Sequence, residues 1–182
     1  GLYSAAVRLS EAWYFVPVVI TTSLFPAILN AKNISSELYN SRLQRLYTFL
    51  MWIAVAVAVP MTFISDWLVT LLYGDAFEES GKVLMISIWG GVFVSFGVAS
   101  GSWFTSENLQ RYALYRTLAG AAINVGLNLI LIPNYGLVGA AISTIVAQAM
   151  ATLFFDALTK KTRAVFIMKL KALYFPNLFQ SS

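Results

Sequence analysis

The sequence contains neither cysteine nor histidine, and only 11% of its 182 residues are charged. Without cysteine there are no disulfides and no thiolate chemistry, and without histidine the commonest metal ligand and general base is missing. No Walker A segment, His/Cys cluster, serine-nucleophile motif or glycine-rich dinucleotide loop is present, so neither ATP hydrolysis nor covalent catalysis has a basis. A non-enzyme is expected, with no catalytic residue, cofactor or metal. The 12 Lys and Arg against 8 Asp and Glu give a net charge of +4. These basic residues lie beside apolar runs rather than on a polar face, which marks topology and excludes nucleic acid as a partner.

What fills the chain instead is hydrocarbon. The sequence is 59% hydrophobic and has a mean hydropathy of +0.73, far outside soluble usage. Its apolar runs are continuous rather than alternating, so the expected fold is all-α, a polytopic membrane helix bundle and not a barrel. Five spans are expected, at residues 5–30, 46–64, 83–104, 117–132 and 137–158. Pro17 should kink the first. Residues 32–45 read as a basic loop, and the second span should end at Ser65-Asp66, leaving Trp67 to Tyr73 as an interfacial half-helix closed by Gly74. The third span holds 22 uncharged residues, about 33 Å of helix. Within it Gly97 and Gly101 have the spacing that lets another helix approach closely. The last two spans read as a hairpin around Ile132-Pro133-Asn134-Tyr135-Gly136, where Pro133 lacks an amide and Gly136 tolerates positive φ.

With the start of the chain outside, ten basic residues fall on the inner side (Lys32, Arg42, Arg45, Arg111, Arg116, Lys160, Lys161, Arg163, Lys169 and Lys171) and two, Arg8 and Lys82, on the outer. That bias follows the positive-inside rule. Residues 1–158 then form the membrane unit, and residues 159–182 a basic, aromatic cytoplasmic tail along the inner leaflet. Gly1-Leu2-Tyr3 shows neither an initiating Met nor a signal peptide, so the chain is expected to begin inside a larger polypeptide. An echo between Gly1-Leu2-Tyr3-Ser4-Ala5-Ala6 and Gly136-Leu137-Val138-Gly139-Ala140-Ala141 fits either an internal repeat or chance.

Five polar residues within the apolar runs are candidates for substrate binding. Arg8 and Glu11, three apart, share a helix face and can neutralise one another. They face either a cavity, with Arg8 suited to an anionic ligand and Glu11 to orienting it or exchanging a proton, or the outer interface. Asn124 and Asn128 share a face of the first hairpin arm, and Gln148 lies in the second. These amides serve as inter-helix glue or as a polar stripe along a translocation path. Asp156 reads as an end charge.

Three segments together resemble the polysaccharide biosynthesis flippases, the Wzx-type members of the multidrug/oligosaccharidyl-lipid/polysaccharide exporter superfamily. They are Gly1-Leu2-Tyr3-Ser4-Ala5-Ala6 with Arg8, Leu72-Tyr73-Gly74-Asp75-Ala76-Phe77 with Ser80, and Ile132 through Thr144. The resemblance covers the chain to Leu158. It implies the C-terminal lobe of a two-lobe transporter in the bacterial cell membrane, partnered by an N-terminal lobe of the same protein and by membrane lipid. It further implies export of a polyprenyl-diphosphate-linked oligosaccharide to the outer leaflet by alternating access, with an ion gradient as a possible drive. A lipid II flippase and a multidrug antiporter of the same superfamily are the alternatives. A membrane glycosyltransferase or polymerase fits less well, because the outer loops are too short to hold an active site.

Overall fold

The computed structural model describes residues 1–173, whose regular structure is entirely helical. The helices are α1 (Leu2–Glu11), α2 (Phe15–Lys32), α3 (Ser36–Tyr73), α4 (Glu78–Ser87), α5 (Gly90–Ser106), α6 (Gln110–Thr152) and α7 (Arg163–Lys171). Four stretches, Tyr3–Lys32, Ser36–Tyr73, Ser80–Ser106 and Gln110–Ala157, are long and apolar enough to cross a membrane. The fourth, α6 with the turn after it, contains both hairpin arms. Gly136 departs from helical geometry at φ 55° and ψ −131°, a conformation essentially reserved for glycine. Beyond it the chain folds back: Asn124 Nδ2 donates to Thr144 Oγ1 at 3.4 Å, and Gly139 lies so close to the Leu131 carbonyl that a Cβ there would overlap it.

Helix α3 corrects the sequence reading at both ends. It starts within the expected basic loop, where Ser35 Oγ caps it by accepting from the Leu38 amide at 3.0 Å. It then runs unbroken through Ser65 and Asp66, so Trp67 to Tyr73 are its last two turns rather than a separate half-helix. Its 38 residues make about 57 Å, more than a hydrocarbon core requires. Gly74, at φ 86°, ends it.

The first and third expected spans are each interrupted. Between α1 and α2 the break lies at residues 12–14, one turn ahead of Pro17. Pro17 has no amide for the Trp13 carbonyl and its ring excludes that oxygen, which accepts from Val16 at 2.9 Å instead. Between α4 and α5 the ladder tightens at Ile88 and Trp89, just before the helix-weakening pair Gly90-Gly91.

Two apolar cores hold the bundle. Phe25 and Ile28 of α2 pack with Leu43, Tyr47 and Leu50 of α3, Phe96 and Phe104 of α5, and Val165 of α7. Ala6, Val69, Val83, Leu84 and Ala141 unite α1, α3, α4 and α6. The outer surface is apolar as well, with Phe63 82% and Leu129 74% exposed, as a lipid-facing surface requires. Part of the expected tail packs on the bundle: α7 docks on α3, with Gln44 Nε2 donating to the Met168 carbonyl at 2.8 Å and Trp52 Nε1 to the Ala172 carbonyl at 3.2 Å. The rest of that tail, residues 174–182, lies outside the described residues.

Candidate functional site

The two helix breaks meet. A Cβ on Gly91 would overlap the Trp13 indole, and one on Gly90 would lie 2.8 Å from Gln148 Oε1 and 3.4 Å from the Tyr14 hydroxyl. Only bare backbone lets the 12–14 turn, the start of α5 and the second hairpin arm converge. The close approach expected at Gly97 and Gly101 holds at the first of them and is joined by this tighter one two turns earlier. A Cβ on Gly97 would lie 3.3 Å from the Thr152 methyl, a tight contact, whereas nothing lies within 4 Å of a Cβ on Gly101.

Beside this junction is a cavity of about 110 Å³ lined by Tyr3, Ser10, Glu11, Tyr14, Thr144 and Gln148, among others. Glu11 forms its exposed rim. From Thr144 a polar line continues through Asn124 to Asn128, whose Nδ2 donates to Asn124 Oδ1 at 3.0 Å. Gln148 Oε1 and Asn128 Oδ1 have no hydrogen-bond partner among the described residues. Four of the five candidates are thus joined or adjacent. Arg8 is exposed and does not line the cavity, and among the described residues no ion pair joins it to Glu11. An arrangement of one carboxylate and three amides can bind hydroxyl groups and exchange a proton. Among the described residues no cluster suits a metal ion.

Sequence reading missed a second polar centre, at the end of the bundle where α2 carries Lys32 and the hairpin carries Arg111 and Arg116. Asp156, expected as an end charge, is 1% exposed. Its Oδ2 lies 2.6 Å from Lys169 Nζ and 3.8 Å from Arg116 Nη1. Arg116 also donates from Nη2 to the Gly97 carbonyl at 3.1 Å and sits 4.8 Å over the Phe104 ring. Lys169 donates to the Thr152 carbonyl at 2.5 Å and lies 5.9 Å from the Tyr47 ring centre. Burial pushes the Lys169 ammonium down to about 8, against the opposing pull of Asp156. The only sequence signal was an acidic residue at the end of an otherwise uncharged arm.

Compared with known proteins, residues 8–178 match the family model for the lipid II flippase MurJ. The chain is 25% identical over 154 residues to the probable low-salt glycan biosynthesis flippase Agl15 of Haloferax volcanii, covering 84% of this chain and 32% of that protein. It is 24% identical over 172 residues to the probable flippase AglR of the same organism, covering 84% and 33%. An uncharacterized membrane protein of Methanocaldococcus jannaschii is 23% identical over 114 residues, covering 61% and 22%. The chain thus spans at most about a third of the length of these curated relatives. No solved structure matches.

Proposed function

The chain belongs to the lipid II flippase MurJ family, and from that premise we propose that it is one lobe of a transporter carrying a polyprenyl-diphosphate-linked oligosaccharide from the cytoplasmic to the outer leaflet by alternating access. The observation that carries this reading is the meeting of two helix breaks beside Glu11, Gln148 and the Asn124–Asn128 pair. Irregular backbone at membrane depth persists only where protein covers it or water lines it, and transporters built from repeats bind substrate at such places. The amides would hold sugar hydroxyls while Glu11 exchanges a proton with the driving gradient. Exposed Arg8, less than one helical turn from Glu11, is offered to the diphosphate, with further cations supplied by the rest of the transporter. The basic end of the bundle faces the cytoplasm in this reading.

Two relatives bear flippase names, one of them for glycan biosynthesis, which favours a surface glycan as cargo. The family name favours lipid II as the second reading. The test uses the full-length protein in cells lacking the native gene, with a membrane-impermeant sugar-modifying reagent reporting which leaflet holds the lipid-linked glycan. Glu11→Gln and Gln148→Leu should trap glycan on the inner leaflet at unchanged protein level. Normal export by both variants would refute the cavity as the path, and the sugars of the trapped lipid would decide between the two cargos.

A further inference from the structure

Between the hairpin and α7 the chain turns through Lys160, Lys161 and Arg163, all three exposed. Among the described residues, none of these side chains has an ion-pair or hydrogen-bond partner. No acid lies nearby in the chain either, since residues 157–182 contain neither Asp nor Glu. Asp156, just before them, is buried against Lys169 and Arg116. The turn therefore carries three cations that the fold leaves to its surroundings.

Apolar side chains stand open beside this charge. Leu158, ahead of it, is 71% exposed, and Ile167, Leu170 and Leu173, after it, are exposed as well. Spaced by three, these last residues lie along one side of α7. The other side, with Val165, Lys169 and Ala172, is buried on the bundle. The course of α7 sets the two kinds of group at different depths. Its Met168 carbonyl meets Gln44 and its Ala172 carbonyl meets Trp52, so α7 follows α3 in the same sense, into the apolar run that begins at Leu46. Arg163 lies five residues before Met168, about 7 Å back along the helix, on the aqueous side of that level. A partner matching this surface has a negative head at the membrane boundary and hydrocarbon below it.

We propose that the turn before α7 gathers anionic phospholipid, with Lys160, Lys161 and Arg163 holding its phosphate and its acyl chains lying against Ile167, Leu170 and Leu173. Charge complementarity selects this occupant: three cations without an acid beside them favour a headgroup of net negative charge over a zwitterionic one. A soluble acidic partner would satisfy the cations alone and leave the apolar side of α7 unmatched. The inference requires only that the bundle spans a membrane, and stands whether or not the cavity beside Glu11 is the transport path.

A fluorophore attached through Ile167→Cys, in full-length protein otherwise free of cysteine, tests it in phosphatidylcholine vesicles. The vesicles carry the same small fraction of doxyl-labelled phosphatidylglycerol or doxyl-labelled phosphatidylcholine as quencher. Quenching by the phosphatidylglycerol should exceed that by the phosphatidylcholine by about fivefold. Lys160→Gln/Lys161→Gln/Arg163→Gln should make the two equal, and Lys160→Glu/Lys161→Glu/Arg163→Glu should reverse their order. Equal quenching in the parent protein, an undiminished excess in the glutamine variant, or no quenching by either lipid would overturn the proposal. Loss of the excess on adding polyprenyl diphosphate at the same fraction would also overturn it, by giving the turn to the transported class of lipid.

Discussion

Lys169 Nζ and Asp156 Oδ2 lie 2.6 Å apart with both side chains out of solvent, tying α7 to the end of the hairpin. Removing one partner of such a pair strands the other charge, which typically costs about 3–5 kcal/mol, whereas replacing both with apolar groups is close to neutral. Lys169→Met should therefore lower the melting temperature of the detergent-solubilised protein sharply, and Lys169→Met/Asp156→Leu should recover most of the loss. A double variant no more stable than the single one would show that Arg116 depends on Asp156 as much as Lys169 does.

The same lysine gives stability a pH dependence. Its folded value of about 8 lies below the ordinary 10.5, so between those limits the unfolded chain binds a proton that the fold does not. Stability from this group therefore rises as pH climbs from about 8 to 10.5, and is level below that window. The melting temperature of wild type relative to Lys169→Met should shift in favour of wild type between pH 8 and pH 10. A constant difference would mean that Lys169 titrates normally.

Two glycines of α5 should respond in opposite directions. Gly91→Ala places a methyl against the Trp13 ring, and overpacking of this kind costs about 1–3 kcal/mol. Gly101→Ala meets nothing within 4 Å and should gain up to about 1 kcal/mol of helix propensity. Thermal stability of the two variants, measured side by side, checks the pair.

The fold-back at Gly136 can be tested by cross-linking, because these 182 residues contain no cysteine to interfere. A Cβ on Gly120 would lie 2.8 Å from that of Ala151, close enough for a disulfide after a small relaxation. Along a straight helix these residues would be about 46 Å apart. Gly120→Cys/Ala151→Cys should cross-link rapidly on mild oxidation within one chain, and a failure to do so would argue for a continuous α6.

The turn at residues 132–136 was legible because its chemistry is local: Pro133 and Gly136 announce it without help from the rest of the molecule. The continuity of α3 was not legible, because Asp66 resembles the end of a span. A Cβ on Gly81 would overlap the Asp66 carboxylate, so α4 lies flush against α3 there and helix packing carries the chain past its charge. The polar line was legible residue by residue, since Glu11, Asn124, Asn128 and Gln148 each interrupt an apolar run. What joins them, the docking of Trp13 onto Gly91, depends on two helix breaks that no single run reveals. The Arg116–Asp156–Lys169 centre was the least legible part. Its members are separated by 40 and 13 positions and carry no spacing signature, so only the docking of α7 brings them together.

That docking also orders assembly in time. Helix α7 follows the hairpin in the sequence, so its lysine emerges from the ribosome after Arg116 and Asp156, which receive it. Before Lys169 docks, the one cation the folded chain sets beside Asp156 among the described residues is Arg116, across the longer 3.8 Å contact. A bundle whose hairpin has inserted in the wrong register would present no carboxylate at that position, and the Lys169 ammonium would be buried without its partner. Docking of α7 thus depends on the correct insertion of the hairpin that precedes it in the sequence.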